Sequence, residues 1–107
     1  MSFVFEDAVE VLLSHDGSCP QDDLFRAVAE DGAELGWQTS EDGASHRPSV
    51  RDVRWALGPS WNLVELFGLG STTGDWRHRV MALTPAGKDT MIAVVRAAAA
   101  GPKDRPW

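Results

Sequence analysis

Apolar residues at Phe5, Ala8, Val9, Leu12 and Leu13 follow the i, i+3, i+4, i+7, i+8 spacing of a helix with one buried face. The same period sets Glu6, Asp7 and Glu10 on its solvent side, and Ser14-His15-Asp16-Gly17 ends it, with Gly17 free to take a left-handed cap. A second helix is predicted from Ser18-Cys19-Pro20-Gln21. Ser18 caps it, Gln21 returns the bond as a capping box, and Pro20 sits in the first turn, where its missing N–H is not needed. Leu24, Ala27 and Val28 continue the apolar side, with Leu35 and Trp37 beyond Gly32. Gln38 to Arg47 has no hydrophobic period and reads as a loop, the stretch expected to be most mobile.

Helix restarts at Ser49, which is spaced with Asp52 as a capping box, and Val50, Val53 and Leu57 lie on one side of it. Gly58-Pro59 is expected to interrupt it. Ser60 then caps a short helix in which Leu63, Leu66 and Phe67 share a face, with Gly68 at its C-terminal cap. Leu69 to Thr72 and Trp76 to Thr84 read as two strands around the turn residues Thr73-Gly74-Asp75. Thr84-Pro85 supplies an N-cap and a first-turn proline for a last helix with Met91, Val94, Val95 and Ala98 on its inner face. Gly101-Pro102 is expected to stop it, so that one domain spans residues 1–101 and a flexible tail covers 102–107.

A chain of 107 residues suits a single domain that buries roughly two thirds of its unfolded surface. Hydrophobic residues at 43% and charged residues at 24% are ordinary for a compact soluble fold. No apolar run reaches the roughly 20 residues of a membrane span, and the acidic start, Met1 to Leu13, is the wrong charge for a signal peptide; the expected place is the cytoplasm. Cys19 is alone, and His15, His46 and His78 lack paired ligand spacing, so neither a disulfide, a metal nor a cofactor is expected. The net charge of −6 is uneven: residues 1–45 hold eleven carboxylates against Arg26 alone, whereas residues 46–107 hold five against nine Lys and Arg. Any contact with phosphate must therefore come from a basic face in the second half.

The stretch Leu63-Val64-Glu65-Leu66-Phe67-Gly68-Leu69, a loop through Gly74-Asp75, Arg77 to Leu83, then Leu83-Thr84-Pro85-Ala86-Gly87, resembles MarR-like and PadR-like winged-helix regulators. The resemblance covers about half the chain, Arg47 to Ala100. It implies a mainly α fold with a small β-hairpin, a winged helix-turn-helix with a two- or three-stranded sheet. The Leu-Thr-x-x-Gly piece is a fold signal: Thr84 caps, Pro85 preforms the first turn and Gly87 permits close approach of helix to sheet. The function implied is a transcription-regulator-like module that binds duplex DNA by a recognition helix and a wing.

Two placements of the helix-turn-helix are open. If Ser60 to Phe67 is the recognition helix after a Gly58-Pro59 turn, it offers only Asn62 and Glu65 outward, a poor reader of guanine or phosphate. If Ser49 to Leu57 plays that part, paired with Pro20 to Asp31, then His46, Arg47, Arg51 and Arg54 approach DNA while Arg77, His78 and Arg79 on the wing reach flanking phosphates. Against both stands the plainer reading that these arginines are solvated or pair with the acidic first half.

Five tryptophans and no tyrosine supply the competing clue. Trp55 falls beside Arg51 and Arg54, away from Val50 and Val53, and Trp76 stands at the root of the wing. Both residue types are enriched in protein-binding hot spots, so the alternative is an interaction module that meets a homodimer mate or another protein and binds no DNA. Catalysis has little support: Gly68-x-Gly70-x-x-x-Gly74 misses the dinucleotide fingerprint, and no nucleophile elbow or paired catalytic carboxylates occur. Cys19, beside a helix start, could carry a lowered pKa, but a buried or incidental thiol is the commoner case.

Overall fold

The computed structural model describes residues 3–41 and 44–104, with side chains described for 4–38 and 47–97. The described elements run α1 (Phe3–Ser14), β1 (Ser18–Pro20), α2 (Gln21–Glu34), β2 (Thr39–Glu41), β3 (Ala44–His46), α3 (Val50–Leu66), β4 (Gly70–Thr73), β5 (Val80–Leu83) and α4 (Pro85–Asp104). The chain is mainly helical. Three strands form an antiparallel sheet in the order β1-β5-β4, and β2 and β3 make a separate hairpin.

One hydrophobic cluster joins these elements. Ala8, Val9 and Leu12 of α1 meet Leu24, Phe25 and Val28 of α2, Val53, Leu57, Trp61 and Val64 of α3, Cys19 of β1, Met81 and Leu83 of β5, and Met91 of α4. The apolar side of α1 and its end are as predicted, whereas Glu6 and Asp7, expected on the solvent side, are half-buried. Gly17 has φ +88° and donates to the Leu12 carbonyl at 2.7 Å. At the start of α3 the Ser49–Asp52 capping box forms in both directions. At its end Gly68 takes φ +70°, and Leu69 N–H returns to the Val64 carbonyl.

Several expectations are corrected. Ser18 does not cap a helix. Residues 18–20 are extended and pair with Ala82, Met81 and Val80, and α2 begins after Pro20 with no side-chain cap, its Gln21 N–H donating instead to the Arg79 carbonyl. Residues 38–47 are not all loop: Thr39 pairs with His46, Ser40 with Ser45 and Glu41 with Ala44. Such a hairpin carries no apolar alternation for a periodicity argument to find. Gly58-Pro59 does not interrupt α3, which continues for 17 residues with Pro59 inside it. Proline leaves the Trp55 carbonyl without its helical donor, but both residues are exposed, so the loss falls on a face open to solvent. Finally, α4 runs through Gly101-Pro102 to Asp104, carried by a helix-favouring alanine run, while the last three residues of the expected tail lie outside the described residues.

The hairpin bracketing Gly74 is present, with Gly70 opposite Leu83 and Thr73 opposite Val80. Its second strand starts at Val80 rather than Trp76, which puts Trp76 to Arg79 in the connecting loop. At the far end Thr84 works as expected: Gly87 N–H donates to its Oγ1 at 3.0 Å, while that hydroxyl donates to the Gly68 carbonyl. Among the described residues the inner face of α4 is Gly87, Met91 and Val95; Val94, expected there, is exposed, and the side chain of Ala98, also expected there, lies outside the described residues.

Gly87 is where α4 crosses the backbone after α3. A Cβ there would collide with the Leu69 carbonyl oxygen and come within 2.8 Å of its carbon. Backbone cannot yield as a side chain can, so Gly87→Ala is expected to lower stability by about 3 kcal/mol, read as a fall in the urea midpoint with unchanged slope.

Candidate functional site

Helix α3 carries three different faces along its length. At roughly 100° per residue, Val53, Leu57, Trp61 and Val64 fall on one side and are buried. Trp61 is further fixed by its indole N–H, which donates to Thr72 Oγ1 of β4 at 2.9 Å. A second, polar face carries Arg51, Arg54, Asn62 and Glu65, all exposed. The third face, also in solvent, is apolar: Trp55, Pro59, Leu63 and Leu66 at i, i+4, i+8 and i+11, with Phe67 following at the helix end. Trp55 is 74% exposed, Leu63 55%, Leu66 76% and Phe67 70%, so Leu63, Leu66 and Phe67 do share a side, but it faces water and not the core. Among helices of a folded domain, an apolar stripe opposite the buried one is the feature that needs a reason.

The residues expected to bind DNA are brought together only in part. Arg54 and Arg79 line one open cleft of about 450 Å³ between α3 and the β4–β5 loop, together with Gln21, Asn62, Glu65 and Trp76. Arg54 also lies 5.9 Å from the Phe25 ring centroid, and Arg77 4.7 Å from that of Trp76, within cation–π range. Asp75 Oδ1 accepts from the backbone N–H of Arg77 and of His78, which fixes the turn that presents them. Arg77, His78 and Arg79 border a second hollow with Arg26, but Asp22 and Asp23 line it too, and Asp23 pairs with Arg26 at 3.4 Å. Arg47 and Arg51 are exposed and line neither cleft. His46 closes β3, and its side chain lies outside the described residues.

Trp55 and Trp76 are both exposed, yet they do not share one hollow. Trp76, 72% exposed, borders the cleft on the loop side, whereas Trp55 borders a shallow depression with Arg54, Gly58, Pro59 and Asn62. Arg54, Gly58 and Asn62 line both and form the ridge between them.

A carboxyl pair joins α1 to α2 away from this surface. Asp7, placed by its periodicity on the solvent side, is half-buried against α2 and hydrogen-bonded to Asp31. Burial, that bond, and the negative charges of Asp31 and Glu10 push its pKa up to about 7. Cys19 is buried in β1, and desolvation, with Asp23 nearby, raises its pKa rather than lowering it; the thiol is a core group. Among the described residues no cluster of three or more His, Cys, Asp or Glu could hold a metal, and no helix is long and apolar enough to cross a membrane.

Comparison with family models, with curated proteins and with solved structures gives no match.

Because the folded pKa of Asp7 lies above its unfolded value, its protonation stabilises the fold fully below about pH 4, and that contribution is lost as pH rises through about 7. Partial exposure screens the effect, so Asp7→Asn should gain on the order of 1 kcal/mol over wild type at pH 8 and nothing at pH 4. Urea midpoints across that range check it; a parallel pH dependence in both proteins would refute the pairing.

Proposed function

We propose that this chain is a non-enzymatic winged-helix module, a single domain of the MarR-like and PadR-like kind, and that it works by protein contact rather than by reading DNA. The order α1, β1, α2, α3, β4, β5, with the sheet order β1-β5-β4 and an exposed loop between its last two strands, supports the fold part of this reading. The β2–β3 hairpin between α2 and α3 is an addition to that plan.

The observation that carries the functional part is the third face of α3. In a winged helix this is the helix expected to enter the major groove, where base edges require hydrogen-bond donors and acceptors and phosphates require cations. Pro59, Leu63 and Leu66 supply none of these, and Trp55 supplies only one neutral donor, its indole N–H. They supply what the centre of a protein interface uses: large, rigid, desolvatable area with an arginine beside a tryptophan. The net charge of −6 acts in the same direction, because an acidic chain is repelled by a polyanion at long range.

The second reading, a DNA-binding regulator, draws on one observation, the convergence of Arg54 and Arg79 on a single cleft with the aromatic Trp76 at its edge. Two arginines opposed by Glu65 make a small footprint beside the six to ten phosphate contacts typical of strong duplex binders.

The two readings part in one set of titrations. A labelled mixed-sequence duplex at about 50 mM salt should give no saturable polarisation change. The folded chain should bind an apolar fluorescent dye, and the double substitution Trp55→Ser with Leu66→Ser should remove most of that binding. Salt-sensitive duplex binding that Arg54→Ala with Arg79→Ala abolishes, and that the serine pair leaves intact, would reverse the order of the two.

A further inference from the structure

We infer that the cleft between α3 and the β4–β5 loop receives an acidic segment of a partner protein, which crosses α3 at Gly58, leaving an apolar side chain on Trp55 and Pro59 and setting a carboxylate between Arg54 and Arg79. This rests on the docking reading above and names the chemistry of the partner.

Gly58 marks the crossing. It stands in the middle of a 17-residue helix, where glycine is unfavourable relative to alanine, and a Cβ built on it meets nothing within 4 Å. Packing among the described residues therefore gives no reason for a missing side chain. At roughly 100° per residue, Gly58 falls between Arg54 on the cleft side and Trp55 on the apolar side, and it lines both the cleft and the depression that Trp55 and Pro59 border. The ridge between the two hollows thus has a notch, through which another backbone can reach both.

The charges of the cleft fix the sign of its occupant. Arg54 and Arg79 come from opposite walls and stand at its α2 end: the Arg79 carbonyl accepts from Gln21 N–H at 2.8 Å, and one turn along α2 the Phe25 ring centroid lies 5.9 Å from the Arg54 guanidinium. Among the described residues neither guanidinium has a carboxylate partner, and the amides of Gln21 and Asn62 in the same lining hold no hydrogen bond. An aromatic face leaves the in-plane donors of Arg54 free to take a carboxylate. Glu65, the acid of this lining, lies about three turns further along α3, about 16 Å by helical rise, toward the other end.

The floor of the cleft, Leu57, Trp61 and Met81, is apolar and buried. Two opposed cations above such a floor suit one carboxylate on an aliphatic stem, whereas a duplex presents its phosphates in rows and requires a row of cations. One or two charges on a short segment also feel little of the overall −6, whose surplus lies in residues 1–45.

Selection of displayed random linear peptides on the immobilised full chain should enrich Asp or Glu about three or four residues from a large apolar one, since an extended chain at about 3.3 Å per residue then spans the helix width of about 10 Å. By calorimetry a consensus peptide should bind with a Kd on the order of 10 µM, and about tenfold more weakly with its acid replaced by the amide. Arg54→Ala and Arg79→Ala should each weaken binding about tenfold, while Arg51→Ala, an equal loss of charge outside both hollows, should change it less than about twofold. Gly58→Leu should weaken binding at least about tenfold while raising the urea midpoint of the free chain, because leucine is the better helix former. A basic or uncharged consensus, binding to Gly58→Leu as tight as to wild type, or no enrichment at all would overturn the inference. Peptides that need Trp55 and Leu66 but ignore Arg54, Arg79 and Gly58 would refute the crossing and leave the docking face standing; if the folded chain also fails to bind the apolar dye, the docking reading falls with it.

Discussion

Strand β5 has hydrogen-bonding partners on both edges, β1 on one and β4 on the other, and it sends Met81 and Leu83 into the core. A strand of four residues can satisfy its backbone and bury alternate side chains only if both neighbours are in register. Met81 stands opposite Cys19 of β1 and Thr72 of β4, and Thr72 in turn accepts the Trp61 indole of α3. The ladder is extended past its end: Leu83 N–H reaches the Gly17 carbonyl, and Thr84 N–H reaches that of Leu69. The turn after α1 and the turn after α3 are thus tied to the same short segment. Gly87 then lets α4 close directly over Leu69.

Once that junction is made, the orientation of α3 is settled. Trp61 and Val64 must face the sheet, so Leu63, Leu66 and the Trp55–Pro59 edge are turned outward by the helical period alone. The same rotation carries Arg54 to the cleft that Arg79 enters from the β4–β5 loop. Polar and apolar solvent faces therefore lie side by side on one helix. A partner that covers the apolar one must also meet the charges along its edge.

The acidic surplus of the first half is partly internal. Asp7 lies beside Asp31 at the α1–α2 contact, where burial and that neighbour push its carboxyl up to about 7, while Asp16 is drawn to Lys88 at 3.2 Å on α4. The arginines of α3 take no part in these contacts. Of these, Arg54 rests on the Phe25 ring, and Arg77 in the loop rests on Trp76. Aromatic faces hold these guanidinium groups at the surface while leaving donors free for other contacts.

What the sequence determined by itself is what local chemistry dictates. The buried spacing of α1, the left-handed Gly17, the Ser49–Asp52 box, the stop at Gly68, the turn at Gly74 and the Thr84 cap each depend on residues within one or two turns of each other. Asp42-Gly43, between β2 and β3, is also the dipeptide favoured by two-residue hairpins, and could have indicated the pairing that periodicity missed. Only tertiary structure decided the rest. Ser18 to Pro20 become a strand because β5, some sixty residues away, supplies an open edge. Pro59 stays inside a helix because packing on both sides of it, at Leu57 and at Trp61, outweighs one lost bond on a wet face. Asp7 leaves the solvent because α2 arrives beside it. The apolar residues of α3 carry no mark of which stripe will be covered, since a helical period gives relative directions around an axis and only the sheet fixes which direction is inward.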